Sequence, residues 1–215
     1  MRDYQAEFID FAIRNKVLQF GEFTLKSGRA SPYFFNSGLF NDGGSIGRLG
    51  TFYMRAIEHA GLRFDMLFGP AYKGIPLVTA VAIAYAQERA LPLPYSFNRK
   101  EEKDHGEGGV VAGAPLHGAV LIIDDVITAG TSVHYSIDLI QRHGARAAAV
   151  VIALDRQERS LDDAAVSAIE EIEQRYGIPV VPIITLDDLI EFLRKDPGHS
   201  TELAEILRYR TEYGI

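Results

Sequence analysis

The hydrophobic positions change period along the chain. Near the start, Phe8, Ile9, Phe11 and Ala12 share one face at helical spacing. After Ser45, a candidate N-cap, Ile46, Leu49, Phe52, Tyr53 and Ile57 do the same, so two amphipathic helices are predicted. Between them, residues 21–25 and 31–36 are short strand-like runs around the turn signal Lys26-Ser27-Gly28, which predicts a hairpin. From residue 64 the pattern becomes strand, loop, helix, repeated. Strand-like runs at 64–68 and 93–97 flank a helical stretch near 77–88. Val120-Leu121-Ile122-Ile123 is continuously apolar and residues 147–154 nearly so, as parallel strands buried on both faces are. Between them Val133, Ile137, Leu139 and Ile140 give a helix over 132–143, long enough for the crossover parallel strands require. A further strand at 180–184 is followed by Thr185 and Asp188, a capping pair ahead of Leu186, Leu189, Ile190 and Leu193. Pro197-Gly198 breaks the chain before a last helix with Leu203, Ile206 and Leu207. This order predicts an α/β fold with a central, mainly parallel sheet flanked by helices, and a small N-terminal lobe.

Composition narrows the class. The chain has 215 residues, 47% hydrophobic and 24% charged, which is a folding globular composition and excludes disordered and fibrous classes. No repeat, low-complexity tract or Pro/Ser-rich linker divides it, so one domain over 1–215 is expected, with residues 60–185 as the α/β core. Lys and Arg number 22 against 29 Asp and Glu, a formal charge of −7, which disfavours nucleic acid or an anionic membrane as partner and favours a small molecule. No run approaches the roughly 18 apolar residues of a membrane span, and the start lacks the apolar run of a signal peptide. Cysteine is absent, which removes disulfides, thiol nucleophiles and thiolate metal sites, and a cytoplasmic location is expected.

The segment 120–132, Val-Leu-Ile-Ile-Asp-Asp-Val-Ile-Thr-Ala-Gly-Thr-Ser, passes from buried strand through small residues into a helix. Ligands of open α/β sheets bind outside the carboxyl ends of the strands, where Asp124 and Asp125 can accept hydrogen bonds from sugar hydroxyls. From Thr128 to Ser132, small residues let backbone N–H groups approach a phosphate, and the helix adds its positive end. The plain alternative is a turn with an N-cap. Gly69-Pro70-Ala71-Tyr72-Lys73-Gly74 has P-loop glycine spacing, but Ile75 and Pro76 stand where Lys and Ser or Thr are required. The glycines Gly106, Gly108 and Gly109 make no dinucleotide fingerprint, and the six histidines show no paired metal-ligand spacing.

Residues 99–109 are charged at almost every step until the glycines, which predicts a mobile loop or else a solvated surface excursion. A net-negative protein that binds phosphates must supply positive potential locally, because screening confines exposed charges to about 8 Å. Arg99, Lys100, Lys103 and His105 can do so. Phe34 and Phe35 point to opposite faces of a strand, so at most one ring can meet a ligand. Arg156 follows the 147–154 strand at its carboxyl end, where a guanidinium can grip a carboxylate. The alternative is a salt bridge with Asp155 or Glu158.

Segment 120–132 resembles the phosphoribosyl pyrophosphate motif of the type I phosphoribosyltransferases. The resemblance to the orotate phosphoribosyltransferase family spreads over nearly the whole chain. It takes in residues 20–28, 31–36, 68–76, 99–109 and 154–159, without departure at these positions. The resemblance implies that residues 1–40 contribute to a hood over the core. It implies phosphoribosyl pyrophosphate binding by Lys26, Tyr72, Lys73, Arg99, Lys100, Lys103, His105, Asp124, Asp125, Val126, Ile127, Thr128, Ala129, Gly130, Thr131 and Ser132. It implies orotate binding by Phe34, Phe35, Thr128 and Arg156. Catalytic work falls to Lys103, Asp124, Asp125, Arg99 and His105, with Mg2+ needed and no dedicated protein metal cage. The family likeness also implies a cis peptide at Ala71-Tyr72 and a homodimer whose 99–109 loop serves the neighbouring active site. In that dimer Lys26, Arg99, Lys103 and His105 act in trans and Lys100 in cis. Two other readings remain: a phosphoribosyltransferase for another base, and a non-catalytic regulator that senses phosphoribosyl pyrophosphate.

Overall fold

The computed structural model describes residues 1–103, 109–160 and 166–215, with only the backbone of 100–103. Helix α1 (Asp3–Arg14) leads into a hairpin of β1 (Leu18–Thr24) and β2 (Ala30–Phe35), then α2 (Gly43–His59). The core follows as β3 (Met66–Gly69), α3 (Gly74–Arg89), β4 (Tyr95–Lys103), β5 (Gly109–Gly113), β6 (Ala119–Ile123), α4 (Thr131–Arg142) and β7 (Arg146–Asp155). Then come α5 (Ala168–Tyr176), β8 (Val180–Thr185), α6 (Leu186–Arg194) and α7 (Ser200–Tyr213). The large sheet has the order β5-β4-β3-β6-β7-β8, parallel throughout except that β5 runs antiparallel to β4. The fold is therefore the α/β class expected. Among the described residues no helix is long and apolar enough to cross a membrane.

Period-two alternation in buried strands explains the continuous apolar runs. In β6, Leu121 and Ile123 join the hydrophobic layer on one face, with residues of α1, α2, α3 and α6, while Val120 and Ile122 join Val133, Ile137 and Ile140 of α4 on the other. Every residue of β6 is buried. Phe8, Tyr33 and Phe35 belong to the same cluster as Leu121, so the N-terminal helix and hairpin share a core with the sheet.

Strand order decides where a ligand can enter. From β3 the chain steps to β4 on one side, then returns to place β6 on the other and continues outward to β7 and β8. The loops after β3 and β6 therefore diverge at a topological switch point, where open α/β sheets leave a crevice.

Two expectations need correction. Ser45 is not the N-cap of α2: the extended residue Asp42 is, accepting from the Gly44 and Ser45 N–H groups at 2.8 and 3.0 Å, and Ser45 completes the reciprocal box. The loop expected over 99–109 is narrower, since β4 runs through Lys103 and pairs with Gly109 of β5. Polar residues on an outer hairpin hide a strand from hydrophobic periodicity. Helix α5 is a third departure, not expected although Ile169, Ile172 and Tyr176 stand at helical spacing against the second cluster and Ser167 and Glu170 box its start.

Candidate active site

A cavity of about 370 Å³ opens at the carboxyl edge of the sheet, at the switch point. Its walls come from the hairpin, the loops after β3, β6 and β7, and the start of α5. The loop after β3 packs so closely that side chains are excluded: a Cβ on Gly69 would lie 2.2 Å from the Gly74 carbonyl oxygen. The Ala71 N–H donates to Asn98 Oδ1 at 2.8 Å. The Ala71-Tyr72 peptide is cis, as the resemblance implied, and Tyr72 is exposed at the rim.

Both acids after β6 are buried. Asp124 Oδ1 accepts from the Asp125 N–H at 2.9 Å and Oδ2 from Ser132 Oγ at 2.8 Å, while its carbonyl accepts from Tyr53 OH at 2.7 Å. Burial, reinforced by the neighbouring Asp125 charge, pushes the Asp124 carboxyl up to about 6. Asp125 is differently placed. Its Oδ2 takes Lys73 Nζ at 2.6 Å and Ser37 Oγ at 2.8 Å, and Oδ1 takes the Val126 N–H at 2.9 Å. Two adjacent buried carboxylates thus differ in their partners: one is ion-paired to the loop after β3, the other is held by neutral donors.

The segment after the acids turns into α4 through Gly130, whose φ of 68° lies in the left-handed region. Gly130 is the N-cap, and having no side chain it leaves the first-turn N–H groups of α4 to an external acceptor. Thr128, Ala129, Thr131 and Ser132 are exposed. Val126 and Ile127 instead pack their side chains against the two hydrophobic clusters, so only their backbone groups can serve a ligand.

The other end of the cavity holds Phe34 and Arg156. Phe34 stacks on Phe23 with ring centroids 5.4 Å apart, whereas Phe35 is buried against Phe8, so the two rings divide as alternation requires. Arg156 lies 4.1 Å above the Tyr33 ring, and its Nη2 donates to Ser31 Oγ at 2.9 Å and Tyr209 OH at 3.2 Å. Its Nε donates to Glu158 Oε1. Glu158 also receives Arg29 at 3.1 Å and the Tyr209 hydroxyl at 2.7 Å. The salt bridge weighed for Arg156 therefore exists, but with side chains only 14% exposed it is no surface pair.

One cavity thus collects Lys26, Phe34, Tyr72, Lys73, Asp124, Asp125, Val126, Ile127, Thr128, Ser132 and Arg156 from the expected set. Phe35 is in the core, Ala129, Gly130 and Thr131 form the turn beyond the lining, and Arg99 sits on β4 with Nη1 3.5 Å from the Gly109 carbonyl. His105 and the side chains of Lys100 and Lys103 lie outside the described residues. Sequence reasoning missed Ser37, Arg29, Ser31 and Tyr209. Each reaches the site from another element, and no local pattern marks them.

The phosphoribosyl transferase domain family matches residues 45–182. An orotate phosphoribosyltransferase of Hahella chejuensis is 57% identical over 100% of this chain and 99% of its own length. One of Thiobacillus denitrificans is also 57% identical, with 100% of both chains covered. Among solved structures, the orotate phosphoribosyltransferase of Francisella tularensis is 42% identical, with a TM-score of 0.88 over 97% of this chain and 100% of that one. With an acid pair, an uncapped helix start and a part-buried arginine in one crevice, the chain belongs to the phosphoribosyltransferase family and, within it, to the orotate phosphoribosyltransferases.

Proposed function

We propose that the cavity transfers the 5-phosphoribosyl group of phosphoribosyl pyrophosphate to the ring nitrogen of orotate, releasing orotidine 5'-monophosphate and pyrophosphate in pyrimidine synthesis. The observation that carries this is the single crevice joining Asp124, Asp125 and the start of α4 to Arg156 at the opposite end. The α4 start and Thr128 to Ser132 take the 5-phosphate through backbone and hydroxyl donors. Asp124 and Asp125 take the ribose hydroxyls. Phe34 faces the base, and Arg156 takes its carboxylate.

As the bond to pyrophosphate lengthens, positive charge develops on the ribose and negative charge on the departing oxygen. The carboxylates of Asp124 and Asp125 stabilise the first. Lys73 and Lys26 at the cavity, with Arg99, Lys100, Lys103 and His105 from the charged segment, neutralise the second. Closing that segment over the ligand excludes water, and closure or product release limits turnover.

Among the described residues no three His, Asp or Glu side chains gather as a metal cage. All four carboxylate oxygens of Asp124 and Asp125 already have protein partners. That fits Mg2+ held mainly by substrate oxygens and water, an ion that parts reluctantly with water. When bound, it neutralises the diphosphate leaving group.

The working unit in this reading is a cytoplasmic homodimer of single-domain chains, with residues 1–40 as the hood and the 99–109 segment shared between active sites. Two features support it. Arg99 stands outside the lining of its own cavity, as a residue acting in trans would, whereas Lys26, given the same role, lines it. Helix α3 is apolar on nearly every side from Gly74 to Ala86 and leaves Ile83 48% exposed, the composition of a helix that buries a further face.

The test mixes protein, phosphoribosyl pyrophosphate, Mg2+ and orotate and follows loss of orotate absorbance, with adenine and hypoxanthine as rivals. Orotate is consumed and the purines are not; consumption of a purine instead overturns the base assignment. Lys103→Ala loses turnover at saturating substrate, and wild-type turnover there removes Lys103 from the mechanism.

A further inference from the structure

Arg156 is restrained more completely than a surface guanidinium, and the restraint comes from α7. Tyr209 is 4% exposed, and its hydroxyl bridges two charges, accepting from Arg156 Nη2 at 3.2 Å and donating to Glu158 Oε1 at 2.7 Å. Its ring meets Tyr33 edge-on at 6.0 Å, the same Tyr33 whose face lies under the guanidinium. The end of α7 also ties down the loop that carries Glu158. Arg159 N–H donates to the Tyr213 carbonyl at 2.9 Å, and Ile215 N–H to the Gln157 carbonyl at 3.2 Å. With Nε given to Glu158 and Nη2 to Ser31 and Tyr209, Nη1 is the nitrogen of the fork that makes no hydrogen bond among the described residues.

We propose that Tyr209 is a positioning residue for the base: by bridging Arg156 and Glu158 it sets the orientation in which Arg156 presents Nη1 to a substrate carboxylate. This rests on the reading of the cavity as an orotate site. A guanidinium recognises a carboxylate through its fixed fork, so a rotation of the fork weakens the grip without removing the charge. The hydroxyl is suited to hold that orientation because it donates to the counter-ion and accepts from the cation at once. It touches neither the ribose nor the phosphate end. Its effect therefore falls on orotate and passes through Arg156.

The experiment compares Tyr209→Phe with the wild type, each also in an Arg156→Ala background, measuring kcat and both KM values. Phenylalanine keeps the ring contacts and removes the bridge alone. Expected is a rise of about tenfold in the orotate KM, with kcat and the phosphoribosyl pyrophosphate KM changed by less than about twofold. In the Arg156→Ala background the same substitution adds less than about twofold, because a residue acting through Arg156 has nothing left to act on. An unchanged orotate KM, equal increases for both substrates, or the same penalty with and without Arg156 overturns the proposal. Wild-type protein that consumes no orotate overturns the reading of the site itself, whereas orotate-consuming wild type beside an unaffected Tyr209→Phe overturns only this positioning role.

Discussion

Asp124→Asn separates what the fold tolerates from what the chemistry needs. Asp124 is 6% exposed and its carboxyl is raised from 3.8 to about 6, first by burial and then by the Asp125 charge. That rise corresponds to roughly 3 kcal/mol between the protonated and ionised forms. Because the folded value lies above the unfolded one, the folded state binds more protons between about pH 4 and 6. The stability associated with that proton is complete below 3.8 and is lost as the pH rises through about 6. At pH 7 the folded protein therefore carries a desolvated charge that asparagine does not. Asparagine can still accept from the Asp125 N–H and meet Ser132 Oγ. Expected at pH 7 is a melting temperature higher by about 6 to 10 °C, at fixed protein concentration, with the gain shrinking toward zero by pH 4. Turnover falls by about a hundredfold or more, because the ribose cation loses a facing charge. Calorimetry across that pH range and the orotate absorbance assay check both halves. A variant no more stable than wild type at pH 7, or equally stabilised at pH 4, refutes the assigned strain; one with wild-type turnover refutes the assigned role.

Three further outcomes test other parts of the site. Arg156→Ala raises the orotate KM by about tenfold to a hundredfold, the worth of a charge-assisted hydrogen bond, while the phosphoribosyl pyrophosphate KM stays within a small factor; equal changes in steady-state kinetics count against the base assignment. Gly69→Ala puts a Cβ 2.2 Å from the Gly74 carbonyl oxygen and 2.7 Å from Val78 Cγ1. Backbone must shift, so a loss of about 1 to 3 kcal/mol in a denaturant titration is expected, with a raised phosphoribosyl pyrophosphate KM from the displaced Lys73 loop. Chelation with EDTA stops turnover and added Mg2+ restores it, whereas undiminished turnover in excess chelator removes the ion from the reaction.

The segment from β6 into α4 was legible because strand, acid pair and phosphate turn are contiguous, and because β6 is buried on both faces, which writes an unbroken apolar run. The cap of α2 misled for a local reason: Asp42 and Ser45 form one reciprocal box, and either residue alone looks like a cap. Helix α5 is short, and the outer half of the β4–β5 hairpin, from Asn98 to Lys103, is polar at every position, which leaves no hydrophobic period to read there. Arg156 could be placed at a strand end but not oriented. Ser31 and Tyr209, which hold it, lie 125 and 53 residues away along the chain.

The same limit separates the site's two acids. In sequence Asp124 and Asp125 are indistinguishable neighbours, and both were given one role. What distinguishes them is the sheet order. Placing β3 beside β6 brings Lys73 to Asp125 at 2.6 Å, and the turn after the hairpin adds Ser37 at 2.8 Å. Asp124, equally buried, has no ion-pair partner among the described residues, and burial raises its carboxyl more than the Lys73 charge lowers it. A motif can specify two carboxylates at a strand end, but their electrostatic division arises only when the crossover sets the loop after β3 against them. Lys73 is thus read as a diphosphate ligand from its own segment and as a counter-ion from the fold. The two roles are compatible, since Lys73 is 54% exposed toward solvent while its ammonium still reaches Asp125.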